Sequence, residues 1–269
     1  MSFWNDKVCL VTGGSAGLGR AIGRALAAQG AHVVLIARRK EPLEATVAEF
    51  RAAGLKATSI AGDVTWQEDV DRVAAEVHAN FNRLDLLCNS AGRSTRAAIL
   101  DTTPEDFQQL IDVNFLATVR MTRAFAPRLI AARGHLINVG SLASKVAAPY
   151  LGAYPASKHT VAAYSQQLRL ELGPQGLHVL LACPGPIARN DAGERYIAEA
   201  PGVPADAQRP GGGARVPSLS AELVAKRILK ACERRRPELV VPSRAKLLFA
   251  IAQLSPSIGD WLLRKFLRS

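Results

Sequence analysis

The chain has no apolar run near the ~20 residues that cross a bilayer, and no two of its cysteines are closely spaced. Cys9, Cys88, Cys183 and Cys232 lie far apart, and the first three fall in or at the end of apolar runs. That excludes a CxxC redox or zinc motif. It leaves reduced, buried thiols, no metal site and a cytoplasmic location as the expectation. Aromatic residues make up only 6% of the sequence, and no basic stripe is interleaved with them. The net charge of +11 therefore does not indicate nucleic-acid binding. The start, MSFWNDK, enters an apolar run directly, so no secretory leader is expected.

What is there is a chain of 269 residues, 48% hydrophobic. That suffices for one large core, although length alone admits one or two domains. Short apolar runs alternate with amphipathic stretches along the chain, which predicts parallel strands joined by helices, an α/β doubly wound sheet.

Residues 141–158, SLASKVAAPYLGAYPASK, carry the strongest chemical signal. Tyr154 and Lys158 are four apart on a predicted helix and share a face. An ammonium near a phenol favours phenolate and lowers the tyrosine pKa from about 10. Such a phenol can protonate a carbonyl oxygen or take a proton from an alcohol. Ser141 follows a predicted strand and could hold the same oxygen. The alternative is an unremarkable surface pair.

The apolar run at 7–12 leads into Gly13-Gly14-Ser15-Ala16-Gly17-Leu18-Gly19 and then an Ala-rich helix. Strand, glycine turn and helix N-terminus together suit a pyrophosphate. A second strand over 32–37 ends in Arg38-Arg39 where an NAD-preferring domain usually places an acid. Two guanidiniums suit a 2′-phosphate, so NADP(H) is the expected cofactor and NAD(H) the alternative. Asp63-Val64 follows the third strand, where the carboxylate could bind an adenine amino group or cap the next helix. Asn89-Ser90-Ala91-Gly92 closes the fourth strand with small residues that would let a cofactor lie against it. Asn114 sits in an apolar helix and needs a partner; it is either a satisfied core group or the anchor of a water beside the lysine. The sixth strand ends in Pro184-Gly185-Pro186-Ile187. Residues 188–217, rich in Gly and Pro, suggest a substrate loop.

The last stretch, 244–269, is apolar and basic and predicts two short amphipathic helices broken at Pro256. Contact with an anionic membrane surface is one reading. Packing over the substrate cleft or against another subunit is the other. The expected organisation is one domain over 1–243, with this stretch as a helical extension.

In these motifs the sequence resembles a short-chain dehydrogenase/reductase. Thr12 to Gly19 is similar to the TGxxxGxG cofactor loop, and Asn89 to Gly92 to the NNAG motif with serine for the second asparagine. Asn114, Ser141, Tyr154 and Lys158 match the catalytic tetrad. The resemblance implies a seven-stranded parallel Rossmann-type sheet in one domain. It implies Tyr154 as acid/base and Ser141 as donor to the substrate oxygen. Lys158 would bind the nicotinamide ribose, and Asn114 would hold a water in a proton relay. Cofactor contacts would run from Gly13, Ser15, Ala16, Gly17, Leu18 and Gly19 through Arg38, Arg39, Asp63 and Val64. They would continue through Asn89, Ala91 and Gly92 to Tyr154, Lys158, Pro184, Gly185 and Ile187. The resemblance further implies a homodimer or homotetramer acting on a small carbonyl or alcohol. The long apolar tail is similar to that of members acting on lipophilic ketones at membranes. A reductase of acyl-carrier 3-oxo substrates and a non-catalytic dinucleotide-binding regulator are the competing expectations. One departure is Arg189, where the family often carries threonine.

Overall fold

The computed structural model describes residues 2–188, 203–208 and 217–267. Seven strands form one sheet: β1 (Val8–Thr12), β2 (His32–Ala37), β3 (Ala57–Ala61), β4 (Leu86–Asn89), β5 (His135–Val139), β6 (His178–Pro184) and β7 (Glu238–Val241). All neighbours pair in parallel, in the order β3-β2-β1-β4-β5-β6-β7. Between them run helices α1 (Gly17–Ala27), α2 (Lys40–Ala52), α3 (Gln67–Asn80), α4 (Pro104–Ile111), α5 (Ala117–Ala131), α6 (Tyr154–Leu172) and α7 (Ala221–Glu233). The architecture is a Rossmann-type α/β domain.

The apolar runs become strands because both faces of the sheet are covered. Successive side chains point to opposite faces, and β1 divides its residues accordingly. Cys9 and Val11 join a core with Ile22 and Leu26 of α1, Phe50 of α2 and Ile228 of α7. Val8 and Leu10 join a second core with Val73 of α3, Phe125 of α5 and Leu168 of α6. Each fully buried large side chain contributes about 1.5–3 kcal/mol.

The helix ends follow local chemistry. Ser220 caps α7 by accepting from the Leu223 amide, and Thr103 forms a capping box with Asp106 ahead of Pro104. The region expected as helix through Asn114 is not a plain α-helix. It passes through a π-turn at Asp112–Leu116 between α4 and α5.

The C-terminal extension is a pair of helices, α8 (Ala245–Leu254) and α9 (Pro256–Leu267), with Pro256 opening the second. Gly259 makes the pair possible, because a Cβ there would lie 2.6 Å from the Ala252 Cα. No helix among the described residues is long and apolar enough to cross a membrane. Phe249 is buried against Val240 and Val161, which fixes α8 to the sheet. Gly259→Val should therefore splay α9 from α8 and leave the sheet intact. The check is amide hydrogen exchange: faster exchange confined to 245–267 is expected, and unchanged exchange there would refute the packing argument.

Candidate active site

The C-terminal ends of β1, β4, β5 and β6 line one edge of the sheet. Between β1 and β4 the chain changes direction of winding, and a crevice opens there in folds of this kind. Thr12, at the end of β1, stitches the crevice floor. Its Oγ1 accepts from the Ser90 and Ala91 amides at 3.0 Å each and donates to the Cys88 carbonyl at 3.5 Å. Gly13 takes a positive φ of 68°, and a Cβ on it would meet the Ala91 backbone at 3.1 Å. Gly17 also has positive φ, but a Cβ there would enter open space. Ala16 precedes α1 without any side-chain cap, and the first turn carries no acidic residue. The amides opening α1 thus lack a capping side chain, an environment that suits a pyrophosphate.

The four tetrad positions converge. Lys158 is buried and donates from Nζ to the Val139 carbonyl at 2.9 Å, so α6 is tied to the end of β5. Its ammonium lies 6.0 Å from the Tyr154 ring centre, on the same helix face. Burial lowers the Lys158 pKa to about 8, although the nearby Cys183 opposes the shift. Ser141 follows β5; its oxygen accepts from the Ala143 amide at 3.1 Å, which leaves the hydroxyl hydrogen to donate. The Ser141 amide in turn donates to Ser144 Oγ.

Asn114 is buried in the π-turn and is a satisfied core group. Its Oδ1 accepts from the Arg93 amide, and its Nδ2 donates to the Arg93 carbonyl and to Ser157 Oγ, all at 2.9 Å. Ser157 passes the connection on by donating to the Tyr154 carbonyl at 2.8 Å. Gly92 belongs in the same knot. A Cβ on it would lie 2.6 Å from Asn114 Oδ1 and 3.6 Å from Lys158 Nζ.

Other expected cofactor positions fall along the crevice. Arg38 and Arg39 are exposed at the end of β2, and an Arg38 nitrogen lies 3.8 Å from the Asp63 carboxylate. Asp63 does not cap α3; it accepts from the Thr65 amide and hydroxyl instead. Val64 beside it is buried. Asn89 spends its amide nitrogen below the crevice on Asn138 and Thr122. Gly185 bonds from its amide to the Val241 carbonyl, following Pro184 out of β6, and Ile187 pairs with Leu219. Arg189 and most of the expected substrate loop lie outside the described residues.

Two members of the site carry no signal in the sequence. Ser157 is hidden inside the YxxxK spacing, and the Val139 carbonyl has no side-chain signal at all. Thr12 is legible as the start of the cofactor-loop motif, but its ties to the Ser90 and Ala91 amides emerge only in the fold.

Comparison with known proteins agrees with this fold. Residues 7–198 match the family model for short chain dehydrogenases. The chain is 33% identical over 247 residues to dehydrogenase/reductase SDR family member 7B of Xenopus laevis, covering 89% of this chain and 75% of that one. A solved short-chain dehydrogenase from Streptomyces avermitilis superposes with a TM-score of 0.79 at 30% identity, covering 97% of this chain and 96% of the other. A metagenomic short-chain oxidoreductase in complex with NADP gives 0.71 at 31% identity, over 88% of this chain and 97% of that one.

The lowered Lys158 pKa has a stability consequence. Below about pH 8 both folded and unfolded chains hold the proton, and the fold bears the cost of a buried ammonium. Between about 8 and the ordinary value of 10.5 only the unfolded chain holds it, so rising pH stabilises the fold. Lys158→Met should match or exceed the parent in thermal unfolding midpoint at pH 7. That margin should shrink between pH 8 and 10. A variant less stable at pH 7, with a pH-independent difference, would contradict this.

Proposed function

The chain belongs to the short-chain dehydrogenase/reductase family, and on that footing we propose that it interconverts a carbonyl and an alcohol with NADP(H), on a lipophilic ketone or aldehyde. The observation that carries the proposal is the buried Lys158 ammonium, hung from the Val139 carbonyl on the same helix face as Tyr154. A nicotinamide dinucleotide bound in the crevice would supply or accept the hydride.

The protein's own residues handle the proton. In reduction, Tyr154 gives its phenolic proton to the carbonyl oxygen while the Ser141 hydroxyl donates a hydrogen bond to the same atom. Protonated Lys158 stabilises the phenolate left behind and would hold the nicotinamide ribose. The Asn114 amide is committed to Arg93 and Ser157, so a relay water there would rest on its main-chain carbonyl. Gly13 to Gly19, with the uncapped start of α1, would take the pyrophosphate. Asp63 and Val64 would flank the adenine. Ala91, Gly92, Pro184, Gly185 and Ile187 would border the nicotinamide end. Exposed Arg38 and Arg39 would pair with the 2′-phosphate, and each charge-assisted contact is worth about 1.5–3 kcal/mol.

Purified protein assayed with NADPH and NADH, across carbonyls of increasing chain length, tests this reading. Turnover should favour NADPH and rise with chain length. Tyr154→Phe should lose at least ~100-fold of it. Arg38→Ala should raise KM for NADPH roughly tenfold and leave KM for NADH unchanged. Turnover retained in Tyr154→Phe would sink the catalytic assignment, and NADH preference would sink the cofactor. A preference for small polar or acyl-carrier substrates would replace the lipophilic class.

The extension supports a membrane-surface partner. Leu247, Leu254, Ile258 and Trp261 are exposed at 70%, 88%, 51% and 58%. Lys246, Arg264 and Lys265 are exposed on the same two helices. Apolar side chains in the headgroup region and bases on anionic lipid fit this pattern, each base contributing about 1 kcal/mol. Vesicle flotation provides the check. The protein should float with phosphatidylcholine–phosphatidylserine vesicles, less with phosphatidylcholine alone, and least as Leu254→Glu/Trp261→Glu. Equal recovery of parent and variant would remove membrane docking. The exposed Leu116 and Leu170 near the helices bearing the tetrad suit a homodimer or homotetramer.

A further inference from the structure

At the sheet edge opposite the crevice, three metal-ligating side chains meet, and nothing in the proposed reaction uses them. His135 and His178 open the neighbouring strands β5 and β6 and stand in register. Cys232 comes from the last turn of α7. All three are buried, and their ligand atoms lie within 4.8 Å of one another. His135 Nδ1 is 2.9 Å from His178 Nδ1, and Cys232 Sγ is 3.8 Å from that same nitrogen.

The hydrogen bonds settle which nitrogen faces inward with a lone pair. His178 Nε2 is 2.8 Å from the Arg236 carbonyl, which can only accept, so Nε2 carries the hydrogen and Nδ1 holds a lone pair that accepts from His135 Nδ1–H. A backbone carbonyl orienting the far nitrogen of a histidine is the arrangement usual around metal-binding imidazoles. We propose that His135, His178 and Cys232 form a binding site for one soft, monovalent metal ion, copper(I).

Three arguments select that ion. Two imidazoles and a thiolate are soft to intermediate ligands. No described His, Cys, Asp or Glu supplies a fourth ligand to the cluster, whereas structural zinc is almost always four-coordinate. Lys7 and Arg235 face His135 with positive charge, against one acid, Glu233 beside Cys232; a monovalent ion with one thiolate leaves that balance unchanged, and a divalent ion would add one charge. Bonds of about 2.0 Å to nitrogen and 2.3 Å to sulfur put trigonal nitrogens about 3.5 Å apart and nitrogen about 3.7 Å from sulfur. The sulfur is already at that distance from His178 Nδ1 and within 4.8 Å of the His135 ligand atom, and the imidazoles need to part by about half an ångström. On binding, the Cys232 thiol releases its proton, and the His135 hydrogen moves from Nδ1 to Nε2. Phe3 and Trp4 stack edge-on over His135, with centroids 5.7 and 5.4 Å away. Phe3 is 43% exposed, so displacement of these first residues gives the ion its way in.

The test is anaerobic titration of copper(I) into the full chain against bicinchoninate, with zinc(II) against a colorimetric chelator in parallel. Retention of one copper(I) per chain is expected, with a thiolate-to-copper absorption in the ultraviolet and a raised unfolding midpoint. Cys232→Ala should lose all three signals, and Cys183→Ala should keep them. His135→Gln reads the same loss if Cys232→Ala does not fold. Failure of the parent to retain copper(I), retention by both site variants, or preference for zinc(II) through the same residues would each overturn the proposal. None of these readouts depends on turnover, so the result stands apart from the oxidoreductase reading.

Discussion

Much of the candidate site hangs on one contact, the Lys158 ammonium on the Val139 carbonyl. A buried cation is costly, and the fold offsets that cost only partly with a single neutral acceptor. The contact fixes α6 against the end of β5, and so it fixes where Tyr154 and Ser141 stand relative to each other. Around it, Asn114, Arg93 and Ser157 form a closed chain of hydrogen bonds that ends on the Tyr154 carbonyl. Gly92 is forced by the same crowding, since no side chain fits between Asn114 and Lys158.

The two edges of the sheet are chemically unlike. At the C-terminal edge, small or hydroxylated residues end or follow the strands that line the crevice, among them Thr12, Ser90, Ser141 and Gly185, and Thr12 ties the glycine loop to the turn after β4. At the N-terminal edge, Asp85 accepts from the Val8 amide and from Arg83, and the His135–His178 pair sits under Phe3 and Trp4. Parallel strands make this segregation possible, because all their starts lie at one edge and all their ends at the other.

Most of the fold was legible because its signals are local. Buried parallel strands read as short apolar runs, and Pro104, Ser220 and Pro256 mark helix starts in the chain itself. The spacing of Tyr154 and Lys158 was legible for the same reason. What was not legible is non-local. The π-turn at Asp112–Leu116 has no composition signal, and it leaves Asn114 with its amide spent on Arg93 and Ser157. Asp63 resembled a helix cap in sequence, yet its oxygen serves Thr65. His135, His178 and Cys232 are up to about a hundred residues apart in sequence and come together only through strand order and the return of α7.

The alternation along β1 makes the sheet a partition between two cores. Cys9 and Val11 share neighbours with α1, α2 and α7, while Val8 and Leu10 share theirs with α3, α5 and α6. Residues of the two cores that lie far apart and share no partner combine nearly additively when substituted. Away from the strands themselves, the two layers are thus largely separable problems for an engineer. One can be repacked for thermal tolerance by screening its residues alone, and most of the gain should transfer onto variants of the other.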